Sequence, residues 1–192
     1  LQLLPDLAVS VNISPAMYTQ HDLESAVKAA LEESGMHPER LVLEVTEDTT
    51  MRDIESSPDI LGNLRRLDIS LALDDFGTGY SSLSHLKRLP VQKLKIDKSF
   101  VQDLNNIPKD LRFIRTIIRL AQSLELQVVA EGIEVVENYR DLISEGCHYG
   151  QGYLFSRPLQ PAQMAELLKR QGEGKHHYAC GNLSSVQAAG SS

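Results

Sequence analysis

Six times along this chain a short apolar, β-branched run gives way to a segment with helical spacing, and that alternation restricts the fold more than any other feature. The runs are Leu7 to Ile13, Leu41 to Val45, Ile69 to Asp74, Lys93 to Ile96, Gln127 to Ala130 and a short one around His148 to Gln151. Between and after them, Leu23, Ala26, Val27, Ala30 and Leu31 repeat at helical spacing behind Asp22, and Gly35 stands where that helix would stop. Further helices are predicted over Pro58 to Leu67, Ser82 to Lys87, Pro108 to Leu124, Val135 to Glu145 and Pro161 to Arg170. Strands that each lead into a helix run in one direction, so the pattern predicts an α/β fold with a parallel sheet inside a layer of helices. Both an open doubly wound sheet and a barrel satisfy it. The barrel is favoured because acids and amides stand at the carboxyl ends of nearly all the runs, which in a barrel converge on one mouth.

A length of 192 residues with 42% apolar and 23% charged residues suits one domain with a sizeable core. After Arg170 the composition turns to Gly, Ser, His and Ala, so the domain is expected over residues 1–171 and a flexible tail over 172–192. Lys and Arg number 19 against 26 Asp and Glu, a net charge of −7, which argues against a nucleic-acid polymer as partner because few cations are spare to displace condensed counterions. A small anion remains possible where metal ions bring the positive charge. Two cysteines, Cys147 and Cys180, exclude a disulfide scaffold and suit a reducing cytosol. No apolar run approaches the roughly 18 residues of a membrane span, and the opening residues do not resemble a signal peptide. A cytoplasmic location is expected for this segment, with membrane anchoring of a parent protein left open.

The run ends carry the chemistry: Asn12, Glu44, Asp74 with Asp75, Lys95, Glu131 and Gln151. Hard oxygen donors in such number, with no Cys or His among them, fit Mg²⁺ or Mn²⁺ better than zinc. Adjacent strand residues point to opposite faces, so Asp74 and Asp75 reach one site only where the strand ends and turns, and the glycines of Phe76-Gly77-Thr78-Gly79 are expected to permit that turn. Two neighbouring carboxylates repel unless cations lie near, the usual arrangement of a two-metal phosphodiester site. Each residue also has a plainer reading. Asn12 would close a turn before Ser14-Pro15; Glu44, inside an apolar strand, would pair with Lys95; Asp74 and Asp75 would be turn acids; Glu131 would cap a helix; Gln151 would be one more turn residue. Of Lys93 and Lys95, one is expected to point inward and to need a partner there. Recurrence at one end of six strands outweighs these readings. His21, His37 and His85 are expected in solvated or turn positions, His176 and His177 are at most a fragment of a metal site, and Cys147 is expected to be a buried thiol.

The strings VNIS at Val11 to Ser14, LEVTE at Leu43 to Glu47, LDDFGTGYSSL at Leu73 to Leu83, KLKID at Lys93 to Asp97, VVAEGIE at Val128 to Glu134 and QGYLFSRPL at Gln151 to Leu159 closely resemble the EAL family of bacterial cyclic-di-GMP phosphodiesterases. The resemblance implies a modified (β/α)₈ barrel of TIM type, two Mg²⁺ or Mn²⁺ ions at the strand ends, and hydrolysis of cyclic-di-GMP to linear pGpG in second-messenger signalling. By position it makes Asn12, Glu44, Asp74 and Glu131 metal ligands, and Asp75 the acid of the second metal and its water. Lys95 then orients or deprotonates the attacking water, and Gln151 supports the site. Glu47 anchors the loop after Asp75, and Arg157 and Pro158 lie beside the guanine pocket. A homodimer is expected, with a sensory or GGDEF-type domain upstream in the parent protein. No Glu-Ala-Leu triplet occurs in residues 1–192, and the pattern accounts for about six of the eight strands. The opening part of the barrel is therefore expected to be missing, with sheet edges left open. The alternatives weighed are a non-catalytic module that binds cyclic-di-GMP or a protein partner, and an unrelated metal-dependent α/β barrel hydrolase.

Overall fold

A computed structural model of the chain describes residues 7–18, 23–52, 54–79, 83–102, 104 and 108–172. The expected tail beyond Gly172, with His176, His177 and Cys180, and also His21, lies outside the described residues. Two compact units divide the chain, one formed by Asp6–Lys95 with Leu124–Leu126, the other by Ile96–Ser123 and Gln127–Ser192 with Leu1–Pro5.

In the first unit, strands β1 (Val9–Asn12), β2 (Leu41–Thr46) and β3 (Ser70–Phe76) lie side by side, and β4 (Lys93–Ile96) follows in the same order. Both β1–β2 and β2–β3 are parallel, with Asn12 opposite Glu44 and Thr46 opposite Asp74. The first five residues of β2 are all buried, as in a parallel strand covered on both faces, whereas β1 is exposed throughout. Around this sheet stand α1 (Pro15–Tyr18), α2 (Leu23–Ser34), α3 (Glu47–Arg52), α4 (Ser57–Arg65) and α5 (Leu83–Leu86). Helix α2 stops at Gly35, which takes the left-handed conformation at φ +62°. Val45, Leu61, Leu64, Ile69, Leu71 and Leu73 form the core of the unit, each almost wholly withdrawn from water.

The second unit begins at Ile96, the last residue of β4, whose carbonyl accepts the Glu131 N–H just after β5 (Gln127–Ala130). Strand β6 (Tyr149–Gly150) pairs parallel to β5, Val129 against Tyr149 and Ala130 against Gly150. Helices α6 (Lys98–Gln102), α7 (Pro108–Ser123), α8 (Val136–Ser144) and α9 (Pro161–Gly172) complete it. On α7, Leu111, Ile114, Ile118 and Ala121 recur at the spacing of one helical face; the last three are fully buried and Leu111 is half-buried. Cys147 is buried with its Sγ 3.3 Å from the Tyr149 carbonyl.

Besides α1, where the sequence offers Ser14-Pro15 only as a turn, two helices escape the sequence pattern. Helix α3 begins one residue after β2, where the Thr46 side chain accepts the Thr49 N–H at 3.3 Å as an N-cap and Glu47 and Asp48 occupy the first turn. Helix α6 is a five-residue turn after β4. Neither is long enough to show a hydrophobic period, and helices this short persist only through tertiary contacts. Among the described residues, no helix is long and apolar enough to cross a membrane.

Candidate active site

Parallel pairing brings the polar strand ends of the first unit together. Glu44 lies opposite Ala72 and Thr46 opposite Asp74, so Glu44 and Asp74 differ by two positions in register and project from the same face. Lys95, on β4, completes the group: its Nζ donates to Glu44 Oε2 and lies 3.1 Å from Asp74 Oδ1. The three side chains are only 4%, 7% and 10% exposed for Lys95, Glu44 and Asp74. Buried charges persist when paired, and one ammonium between two carboxylates leaves a net negative charge in a poorly hydrated place. The expected pairing of Glu44 with Lys95 is therefore present, and Asp74 joins it. Lys93 and Lys95 are two positions apart and share a face; Lys95 is the inward, fully buried one and Lys93 is half-buried. Burial lowers the Lys93 pKa, while the nearby Glu44 acts in the opposite direction.

Asp75 is turned by its own backbone. It sits at φ +55°, a left-handed conformation that costs a non-glycine residue about 1 kcal/mol, least for Asp and Asn. The strand's alternation breaks there, and Gly77 at φ +98° continues the turn as expected of the glycines, so the left-handed Asp75 is an addition to that reading. The Asp75 N–H donates to Asp74 Oδ1 at 2.9 Å, and the Asp75 carbonyl accepts the Thr78 hydroxyl at 2.8 Å. Thr78 was not singled out in the sequence, although a Thr three residues after an Asp at a strand end is ordinary turn chemistry. Asp75 is half-buried and Asn12 is exposed at the end of β1.

Glu47, at the start of α3, is 2% exposed, and its Oε2 accepts the Gly77 N–H at 3.0 Å. A Cβ on Gly79 would stand 2.8 Å from Glu47 Oε1, so the carboxylate lies close over the Gly77–Gly79 turn and would have to shift for any other residue there. Thr46, Asp48, Met51, Asp75 and Thr78 line, with Glu47, a cavity of about 620 Å³ beside this turn.

In the second unit, Glu131 is half-buried directly after β5, ahead of Gly132 at φ +69°. It does not cap α8, whose N-cap is Val135. The Gln151 N–H donates to the Ala130 carbonyl at 2.8 Å and its carbonyl accepts the Ile133 N–H at 3.0 Å, which fixes the main chain and leaves the residue exposed. Arg157 lies over the Tyr153 ring, 4.8 Å from its centroid, and Pro158 beside it is exposed. His85 departs from expectation, being 3% exposed, whereas His37 is at the surface.

Oxygen donors dominate the first unit's site: Asn12, Glu44, Asp74 and Asp75, with the Lys95 ammonium between two of the three carboxylates. Such a set fits a hard divalent cation. A parallel α/β chain with acids at the carboxyl ends of its strands has the arrangement in which barrel enzymes build their sites. Residues 1–158 match the family model described as EAL domain, and the chain belongs to that family.

Its similarity to characterised members is substantial. It is 44% identical over 163 residues to the cyclic di-GMP phosphodiesterase NbdA of Pseudomonas aeruginosa, covering 85% of this chain and 21% of NbdA. A structure of the MucR phosphodiesterase of the same organism in complex with c-di-GMP superposes with a TM-score of 0.79 at 39% identity, over 82% of this chain and 64% of that one. Klebsiella pneumoniae BlrP1, solved with manganese and cyclic-di-GMP, gives 0.74 at 34% identity, over 82% and 41%. The α/β fold expected from the sequence is that of these enzymes. The chain spans about a fifth of the length of the curated relatives it matches.

Proposed function

We propose that this chain is a phosphodiesterase domain that hydrolyses cyclic-di-GMP to linear pGpG with two divalent ions, Mg²⁺ or Mn²⁺. The observation that carries the reading is the Lys95 ammonium buried between Glu44 and Asp74, next to Asp75, in a chain of the EAL family. Asn12, Glu44, Asp74, Asp75 and Glu131 would hold the metals, which neutralise the phosphate and lower the pKa of a bound water. Lys95 is held by two carboxylates, so its role is to donate a hydrogen bond that orients the water and balances the site's charge. Asp75 holds that water and Gln151 supports it. The water oxygen bonds to phosphorus, the P–O3′ bond breaks, and the proton passes to the departing 3′ oxygen. Glu47 keeps the Gly77–Gly79 turn in register, and Arg157 with Pro158 faces the guanine. The active domain is taken as residues 1–171, working as a homodimer in the cytoplasm beneath whatever sensory or GGDEF-type domain the parent carries.

The test is conversion of cyclic-di-GMP to pGpG, with Mg²⁺ or Mn²⁺, by the intact parent protein and by this chain. Turnover by the parent that disappears in Asp74→Ala supports the enzyme. Binding without turnover in both would replace it with a sensor module.

A further inference from the structure

We propose that His148 is a positioning residue for Gln151 and Glu131, holding the short strand β6 in register on β5 rather than touching substrate. Residue 148 meets both main-chain groups of Val128: the Val128 N–H donates to the imidazole Nδ1 at 3.0 Å, and the Val128 carbonyl accepts the His148 N–H at 3.1 Å. Val128 is fully buried, so its N–H needs a partner inside the protein. In a longer parallel strand that partner would be a carbonyl of the neighbouring strand. Here the chain reaches β6 straight from the end of α8. Gly146 stands at φ +92° and donates to the Ile143 carbonyl at 2.9 Å, and the Cys147 N–H donates to the Leu142 carbonyl at 3.0 Å. The imidazole takes the place of the strand carbonyl, and because Nδ1 accepts, the ring's proton is on Nε2.

What depends on this clamp follows from the length of β6. A strand of two residues, Tyr149–Gly150, has almost no ladder of its own, so its register rests on the contacts at its two ends. His148 holds the first end. At the second, the Gln151 N–H donates to the Ala130 carbonyl at 2.8 Å and the Gln151 carbonyl accepts the Ile133 N–H at 3.0 Å. With the Val129–Tyr149 and Ala130–Gly150 pairs between them, these bonds form one continuous ladder from the imidazole to the main chain of Gln151 and of Ala130, which Glu131 follows directly. A slip of one residue along it would turn Gln151 to the opposite face. Glu131 and Gln151 stand at the other end of the strand pair from His148, so the histidine acts through the strands and on no reacting atom.

The kinetic part of the test rests on the phosphodiesterase reading; the exchange part does not. Two variants differ only in where they put an acceptor. Asn carries its side-chain oxygen as far from Cα as His carries Nδ1, whereas Gln carries it one bond further out, near the place of Nε2. In the intact protein, His148→Gln should quicken amide hydrogen exchange at Val128 and Gln151 about tenfold or more, and lower kcat about tenfold with KM little altered. Gly77, bonded to Glu47 in the other unit, should keep its rate. His148→Asn should return both exchange rates and kcat close to those of the unsubstituted protein. Fast exchange at Val128 alone, with Gln151 and kcat unchanged, makes the bond a local contact and overturns the proposal, as does equal behaviour of the two variants. If His148→Gln does not fold, the ring nitrogen NMR shifts of the unsubstituted protein and His148→Asn decide: a proton on Nε2 with kcat kept in His148→Asn supports the clamp, and a proton on Nδ1 or a loss of kcat in that variant refutes it. Should the unsubstituted protein lack turnover, the phosphodiesterase reading fails and exchange at Gln151 alone judges His148.

Discussion

Replacing Gly152 with alanine tests how the Gln151 turn is built. A Cβ there would lie 2.1 Å from the Ile133 carbonyl oxygen, 2.3 Å from its nitrogen and 2.7 Å from its carbonyl carbon. All three are main-chain atoms, so no side chain can swing aside; the backbone itself must move by about 1 Å to reach van der Waals distance. Ile133 is held at both ends, its N–H donating to Gln151 O at 3.0 Å and its carbonyl accepting Leu154 N–H at 2.9 Å. Separating the strands of this turn strains or loses both bonds at about 1 kcal/mol each and adds an overpacking cost of about 1–3 kcal/mol. The expected loss is about 3–5 kcal/mol, or roughly 10 °C in Tm for a chain of this size. With no tryptophan in the sequence, thermal and urea unfolding are best followed by far-UV circular dichroism. Gly62, inside α4 with nothing within 4 Å of its Cβ position, is the internal control, and its alanine variant should gain up to about 1 kcal/mol from helix propensity. A Gly152→Ala protein within about 1 kcal/mol of the parent would refute the close-approach argument.

Lys95→Met leaves Glu44 and Asp74 buried without their shared cation and should cost about 3–5 kcal/mol in metal-free buffer, read by the same melts; a loss under about 1 kcal/mol would contradict the pairing. Burial pushes the Cys147 thiol up to about 12, so in a Cys180→Ser background a disulfide reagent should titrate almost nothing until denaturant is added, and rapid native reaction would contradict the burial. Glu145 is held below its ordinary value of 4.5, first by its hydrogen bond from Arg115. Because the folded pKa is the lower one, the stabilisation is present above about pH 4.5 and is lost as pH falls through the folded value. Stability curves of Glu145→Gln and the parent should therefore separate near neutrality and converge in acid.

The same physics separates what the sequence makes legible from what it hides. Runs such as Leu41 to Val45 announce themselves because a strand buried on both faces must be apolar at every position except where chemistry intrudes, and Glu44 is that exception. Gly35 and the Ile114, Ile118, Ala121 face of α7 are equally plain, being local features with local causes. His85 is not, because the sequence reads it as a solvated or turn residue while the folded chain leaves it 3% exposed.

Asp75 marks the deeper limit of sequence reading. Adjacent acids show that a strand must turn if both are to serve one site, and the glycines two residues on supply part of that turn, Gly77 standing at φ +98°. The chain also takes the left-handed conformation at Asp75 itself, which persists only because its surroundings over-determine it: Thr78 bonds the Asp75 carbonyl, Glu47 bonds the Gly77 amide, and Asp74 bonds the Asp75 N–H. Strain of about 1 kcal/mol at one residue is thus offset by three hydrogen bonds supplied from β3, its turn and α3. It follows that loosening Glu47 should disturb Asp75 more than it disturbs Asp74, whose place is set by the ladder with Thr46 and by Lys95.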